Sequence, residues 1–308
     1  MRVLLGPLAA LACIVSSAAI TANGAAAESP LALRAQMLRL VEVDWRLRLA
    51  AGPHCPRMAS GIGVALDHAT AYREADRAEL TRTLRLAALP QVAAVAAGSA
   101  AALAGIQPGD EIVAIGASDM AKALDQSTDP ALFAEEASDV IAALPPGNPA
   151  TLVLRRGRMT LRKTVVPIPI CASRTMLDTG RSLDAYTDTR DLAVTSALID
   201  FAESDDELAL IVGHELAHVI RQGQPGAPMA GTSGVEADAD MLGAALAHCA
   251  GYDSARGAAF WPRYRQQDAD ARLRLPSHPS PDRREESIRA AIPRFTCPFI
   301  PWASSPKQ

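Results

Sequence analysis

The feature that most constrains this chain is a pair of histidines four residues apart in an apolar segment. Ser204-Asp205-Asp206-Glu207 is typical of a helix start, with a capping serine and an acidic first turn, so residues 208–222 are predicted to be helical. On a helix, His214 and His218 project from one face about one turn apart. That spacing suits a single zinc ion about 2.0–2.1 Å from each imidazole nitrogen. The segment therefore predicts a metal-binding helix.

Glu215 follows the first histidine directly and is the only charged residue between Ile211 and Ile220. From that position a carboxylate reaches a water on the metal rather than the metal itself, which is the place of a general base. Short motifs of this kind also arise by chance in amphipathic helices. The apolar surroundings and a carboxylate of suitable type further along the chain favour a metal site instead.

That carboxylate lies in a second predicted helix, which runs to about Ala250 and is closed by Gly251. Its sequence Glu-Ala-Asp-Ala-Asp admits two registers. Glu236 and Asp240 are four residues apart and share a helix face, whereas Asp238 lies about 200° round from Glu236. The first register is therefore predicted, with Asp238 facing away from the metal.

These two helices together resemble those of the gluzincin metallopeptidases of peptidase family M48, which includes HtpX and the CAAX prenyl proteases. The resemblance covers about residues 171–292. It is carried upstream by Asp184-Ala185-Tyr186 and by the segment 191–198, and downstream by Ser277-His278-Pro279-Ser280 with Arg283 or Arg284. Asp184 departs from the pattern, since relatives usually carry Asn there.

The resemblance implies a zinc peptidase with one Zn²⁺ per chain. It implies that His214, His218 and Glu236 bind the zinc and that Glu215 takes a proton from the attacking water. Asp240 would orient a zinc-bound histidine or take part in proton delivery. His278 is a candidate for stabilising the oxyanion or gating the metal, with an ordinary surface loop position as the alternative.

The segment before this unit carries a second resemblance. Residues 91–97 are predicted to be a strand, 100–104 a short Ala-rich helix, and 111–115 a strand after the turn Gly105-Ile106-Gln107-Pro108-Gly109-Asp110. This order resembles a PDZ domain, which implies capture of extended peptide by strand addition beside a helix. The remaining expectations are a carboxylate-binding loop at 61–64, a helical insertion at 67–86, a helix at 133–144, and a hairpin formed by 151–155 and 160–166.

The N-terminal residues 1–27 are expected to be a signal peptide, with Arg2, an apolar stretch and Ala25-Ala26-Ala27 before the cut. An uncleaved membrane anchor is the alternative. We therefore expect an exported protein, periplasmic or extracellular.

Four cysteines remain after the cut, and Cys55–Cys171 with Cys249–Cys297 is the predicted pairing in an oxidising compartment. Four buried free thiols are the alternative.

The predicted fold class is α+β, a PDZ-like β-rich domain followed by a mostly helical metallopeptidase domain with a small edge-strand sheet. The predicted units are a signal peptide (1–27), an amphipathic lead-in helix (28–54), the PDZ-like domain (55–168) and the peptidase domain (169–308), with a linker at 167–169. The net charge of −4 argues against a nucleic-acid partner. The short segment between His218 and Glu236 leaves no room for transmembrane hairpins, so no span is expected after signal removal.

The predicted function is a zinc metalloendopeptidase that cleaves exported, misfolded or misassembled polypeptides. The alternative is a PDZ-containing quality-control or binding scaffold with a structural zinc site. Glu215 speaks against that alternative, because a structural site needs no general base.

Overall fold

The computed structural model describes residues 29–188, 190–222, 233–267 and 279–298. These residues form a mixed α and β fold, as the sequence predicts. The helices are α1 Pro30–Ala51, α2 Glu74–Leu84, α3 Ala100–Leu103, α4 Met120–Gln126, α5 Phe133–Ala142, α6 Ser196–Phe201, α7 Asp205–Gln222, α8 Ser233–Cys249, α9 Ser254–Gly257, α10 Phe260–Gln267 and α11 Pro281–Ala291. The strands are β1 Met58–Gly61, β2 Val64–Asp67, β3 Gln91–Val95, β4 Glu111–Ile115, β5 Ser118–Asp119, β6 Ala150–Arg156, β7 Met159–Val165, β8 Ile168–Cys171, β9 Thr175–Asp178, β10 Ala185–Thr187 and β11 Leu192–Thr195.

Strands β2 to β7 and the helices between them form the first unit, which we call the sheet unit (residues 64–165). Its antiparallel sheet has the order β2-β3-β4-β6-β7, with β5 paired to β4, and α5 packs beside the edge strand β2. The predicted order of strand, small helix, turn and strand over 91–115 is confirmed. In that turn Gly109 has a φ of +93°. The Asp110 carboxylate accepts from the Gln107 amide at 2.9 Å, so it fastens the turn as expected.

The predicted linker at 167–169 is wrong, because Ile168–Cys171 is strand β8. It pairs antiparallel with β1, Ile170 lying opposite Ala59. The two prolines that suggested a linker flank the half-buried Ile168, and the buried Ile170 follows the second of them. Packing of Ile170 against Trp45 therefore outweighs the local preference of Pro for irregular backbone.

The lead-in helix α1 packs on both units. Its apolar face, which includes Leu40, Val43 and Leu47, joins the core around α7 and α8. On another face, Trp45 packs with Ala96 of the sheet unit and with Ile170. Ion pairs follow the same division: Arg34 binds Asp67 of β2 at 2.8 Å, and Arg39 binds Asp205 of α7 at 2.6 Å.

Both predicted disulfides are present, so the alternative of four free thiols is wrong. Cys55–Cys171 joins the segment that follows α1 to β8 with a Cα–Cα distance of 5.4 Å. Cys249–Cys297 joins the end of α8 to the segment after α11 at 5.3 Å. The first bridge brackets the sheet unit, and the second fixes the C-terminal segment to the helix that carries Glu236.

The second unit, which we call the helical unit (residues 172–298), contains α6 to α11 and a small sheet of order β10-β11-β9. Strand β9 is parallel to β11, and β10 is an edge strand packed near α7. No helix within the described ranges combines the length and apolarity that crossing a bilayer requires. The predicted signal peptide lies outside the described residues.

Candidate metal centre

Helix α7 is fixed at its start and buried along its length. The Ser204 hydroxyl accepts from the Glu207 amide at 3.3 Å, and the Glu207 carboxylate accepts from the Glu203 amide at 2.8 Å. This is the predicted capping box, with Glu207 reaching one residue further back than usual. Every residue from Glu207 to Ile220 is buried, which places both histidines inside the protein.

A pair of glycines lets α8 approach α7 closely. A Cβ at Gly213 would lie 2.7 Å from the carbonyl oxygen of Gly243, and a Cβ at Gly243 would lie 2.5 Å from the amide nitrogen of His214. Any side chain at either position would force the helices apart. The small residues therefore bring the carboxylates of α8 against the histidine-bearing face of α7.

Three side-chain atoms converge where the two helices meet. His214 Nε2 and His218 Nε2 are 3.1 Å apart, and Glu236 Oε2 lies 3.4 Å from the first and 3.2 Å from the second. Tetrahedral coordination with bonds of about 2.0–2.1 Å separates ligand atoms by roughly 3.3–3.4 Å. The geometry of the donor set therefore fits zinc, and two His with one Glu is a donor set of catalytic zinc sites.

The charge around these atoms also favours a cation. Burial and Arg284 lower the pKa of His214, but hydrogen bonds with Asp240 and Glu236 outweigh them and raise it to about 9. The neighbouring carboxylates thus favour positive charge at this imidazole, although burial alone would oppose it. A bound metal cation would supply that positive charge at the ring nitrogens that face the cluster.

Asp240 lies behind the first histidine, on the side away from Glu236. Its Oδ1 is 2.9 Å from His214 Nδ1, so the Nε2 atom is left to face the cluster. Burial raises the pKa of the Asp240 carboxyl, but Arg284 and His214 hold it at about 2. This carboxylate–histidine pair has the arrangement that orients a metal-bound imidazole.

Sequence reasoning left Arg283 and Arg284 as alternatives, and the structure separates them. Arg283 is exposed, whereas Arg284 is buried and donates to both oxygens of Asp240, Nε lying 2.8 Å from Oδ2 and 3.0 Å from Oδ1. Its guanidinium stacks 3.4 Å from the ring centroid of Trp261. Sequence analysis missed Trp261, and nothing in the local pattern distinguishes it from an ordinary core aromatic.

Glu215 is buried beside the cluster. Burial raises the pKa of its carboxyl, while His214, His218 and Arg284 oppose that shift. A carboxylate with a raised pKa is suited to taking up a proton during a reaction.

The other predicted positions fall as follows. Asp238 is 60% exposed and pairs with Arg221 at 2.8 Å, so it faces away from the cluster, as expected. Asp184 lies directly before β10, where its backbone N–H donates to the Thr195 hydroxyl at 3.2 Å. His278 lies outside the described residues.

Comparison with known proteins gives one family match. Residues 162–224 match the sequence model of peptidase family M48. No curated protein sequence matches the chain. Solved structures that resemble it include an HtrA-type protease, AlgW, with a decapeptide, at 24% identity over 36% of this chain and 30% of that one, with a TM-score of 0.26.

A variant of AlgW with a decapeptide gives 24% identity, 36% and 29% coverage and a TM-score of 0.24. The chain thus spans less than a third of either structure. The family match covers both histidines and Glu215, and it supports peptidase family M48 and a metallopeptidase function for this chain.

Proposed function

We propose that this chain is a zinc-dependent endopeptidase that hydrolyses exported polypeptides. The observation that carries the proposal is the convergence of His214 Nε2, His218 Nε2 and Glu236 Oε2, all within 4.8 Å of one another, with Glu215 beside them. Within the described residues three protein ligands converge. The buried Glu215 carboxylate beside these ligands favours catalysis over the scaffold alternative, because a structural zinc site needs no general base.

Each of these residues has a distinct task. His214, His218 and Glu236 hold the zinc, which when bound acts as a Lewis acid and lowers the pKa of water. Glu215 takes the proton of the attacking water on its carboxylate and passes it to the leaving amine nitrogen. Asp240 accepts a hydrogen bond from the Nδ1–H of His214 and fixes the orientation of that ring.

A polypeptide substrate fits the elements that border the site. Strand β10 is the edge of its sheet and packs near α7, and its Tyr186 is 49% exposed. An edge strand offers unpaired backbone groups to an extended chain. Unfolded or misassembled proteins present such chains, so we propose them as the substrate class.

The sheet unit, as a PDZ-like domain, would hold an extended peptide between β2 and α5. Beside this groove, a cavity of about 480 Å³ lies between α1, β1, α5 and β8 and reaches the loop 61–64. Its apolar wall includes Trp45, Ile62, Ile141 and Ile170. The two disulfides support an oxidising compartment, periplasmic or extracellular.

The test compares cleavage of an unfolded protein such as reduced casein by the wild type and by Glu215→Gln, with zinc content measured in both. We expect a loss of roughly 10²- to 10⁴-fold in kcat for Glu215→Gln with zinc retained. The exposed Asp238→Asn change is the matched control and should leave both unchanged. Zinc-loaded wild type without proteolytic activity, or full activity in Glu215→Gln, would reject the proposal.

A further inference from the structure

A buried arginine lies behind the proposed zinc site and belongs to neither the ligand set nor the proposed reaction. Arg284 is in the first turn of α11, which is capped by the Ser280 hydroxyl and begins with Pro281. Ile288 on the same helix is fully buried in the core. The guanidinium is therefore delivered from a fixed helix and not from a mobile surface chain.

This guanidinium contacts Asp240, Trp261 and the ring of His214. Two of its nitrogens donate to the Asp240 carboxylate, and its flat face covers the Trp261 ring. Removing an arginine from water is costly unless such partners compensate for the lost hydration. A planar fork that binds both carboxylate oxygens also fixes the direction in which the carboxylate points.

That direction decides which nitrogen of His214 is available to a metal. Asp240 Oδ1 and Arg284 Nη2 both lie close to Nδ1, at 2.9 and 3.0 Å. If Nδ1 carried the lone pair for Arg284, the ring proton would be on Nε2 and would block the metal. If Nδ1 carries the proton for Asp240, Nε2 presents its lone pair to the cluster. Only the second arrangement permits zinc binding.

We propose that Arg284 is a positioning residue of the zinc site, which holds the Asp240 carboxylate in the orientation that keeps the proton of His214 on Nδ1. The Trp261 ring packs against the face of the guanidinium, and helix α11 fixes the position of the Arg284 backbone. The inference rests on the proposed function, since it assigns a role toward the zinc of that site. It extends the site to a third helix, beyond the two that carry the ligands.

The test measures zinc affinity by competition with a chromophoric chelator for the full chain and its variants. We expect Arg284→Met to weaken zinc binding roughly 10- to 100-fold, the usual effect of losing such support. Arg284→Lys keeps the charge but loses the fork, so an intermediate loss is expected. Arg283→Met, one residue away on the exposed side, is the matched control and should bind zinc like the wild type.

Two further readouts separate positioning from a general effect on stability. In Co²⁺-substituted protein, the visible absorption bands should shift in Arg284→Met and in Arg284→Lys but not in Arg283→Met. The double variant Asp240→Asn/Arg284→Met should lose no more affinity than the weaker-binding single variant, because both changes remove one interaction. It also removes both buried charges, so it keeps the test valid if Arg284→Met does not fold.

Zinc affinity of the Arg284 variants within about twofold of Arg283→Met would overturn the inference while leaving the proposed function intact. Fully multiplicative losses in the double variant would overturn it as well, since Arg284 would then act independently of Asp240. A wild-type chain that binds no zinc would instead reject the proposed function itself. The two failures are thus distinguishable.

Discussion

Two buried aspartates, one in each unit, show how differently the two regions treat charge. Asp240 of the helical unit and Asp67 of the sheet unit each have a side chain that is only 3% exposed, and each pairs with an arginine. Burial raises the pKa of both carboxyls. The net result is nevertheless opposite, since the pKa of Asp240 falls to about 2 and that of Asp67 remains raised.

The partners explain the difference. Asp240 is bound through both oxygens by the buried Arg284 and also by His214. Asp67 has Arg34 and the neutral hydroxyl of Tyr72, and both contact the same oxygen, Oδ2. The helical unit is thus built to hold an ionised group in one orientation. The sheet unit uses its buried acid as a structural link to α1.

The largest effect is expected where the two regions meet. Trp45 is buried between Ala96 of the sheet unit and Ile170, so Trp45→Ala should lower the free energy of unfolding by about 3–5 kcal/mol. Leu38→Ala, on the same helix but 44% exposed, is the control and should cost much less. Denaturant unfolding measures both. Equal small losses would mean that α1 does not join the units.

A matched pair of substitutions tests the comparison itself. Asp240→Asn should weaken zinc binding roughly 10- to 100-fold, because the amide is a poorer acceptor for the Nδ1 proton of His214. Asp67→Asn should leave zinc binding and short-peptide cleavage unchanged. Zinc titration of both variants is the measurement. A comparable loss of zinc affinity in Asp67→Asn would show that the buried acid of the sheet unit also influences the zinc site.

The smallest effect concerns pH. The folded pKa of Asp67 is raised above its ordinary value of 3.8, so the folded state holds this proton more tightly than the unfolded state. Its contribution to stability is therefore greatest at low pH and is lost as pH rises through the folded pKa. As pH rises from about 4 through the folded pKa of Asp67, Asp67→Asn should gain stability relative to the wild type. Unfolding curves across that range would contradict this if the difference stayed constant.

The helix of His214 and His218 was predictable because its spacing, its cap and its apolar run all agree, and the structure has α7 as expected. Strand β8 was not predictable, because its two prolines indicated a linker although Ile170 beside them is buried. The apolar face of α1 predicted packing, but periodicity cannot say that the partners are two units. Choosing Arg284 over Arg283 needed the orientation of α11, because both residues are arginines in a polar turn.

The central claim is that Glu236 completes a zinc site with the two histidines, and the most direct measurement is the zinc content of three purified proteins. Glu236 is buried at the cluster, whereas Asp238, two residues away, is exposed and paired with Arg221. We predict one zinc per chain in the wild type and in Asp238→Ala, and loss of most zinc in Glu236→Ala. Zinc retained by Glu236→Ala, or lost by Asp238→Ala, would contradict the account.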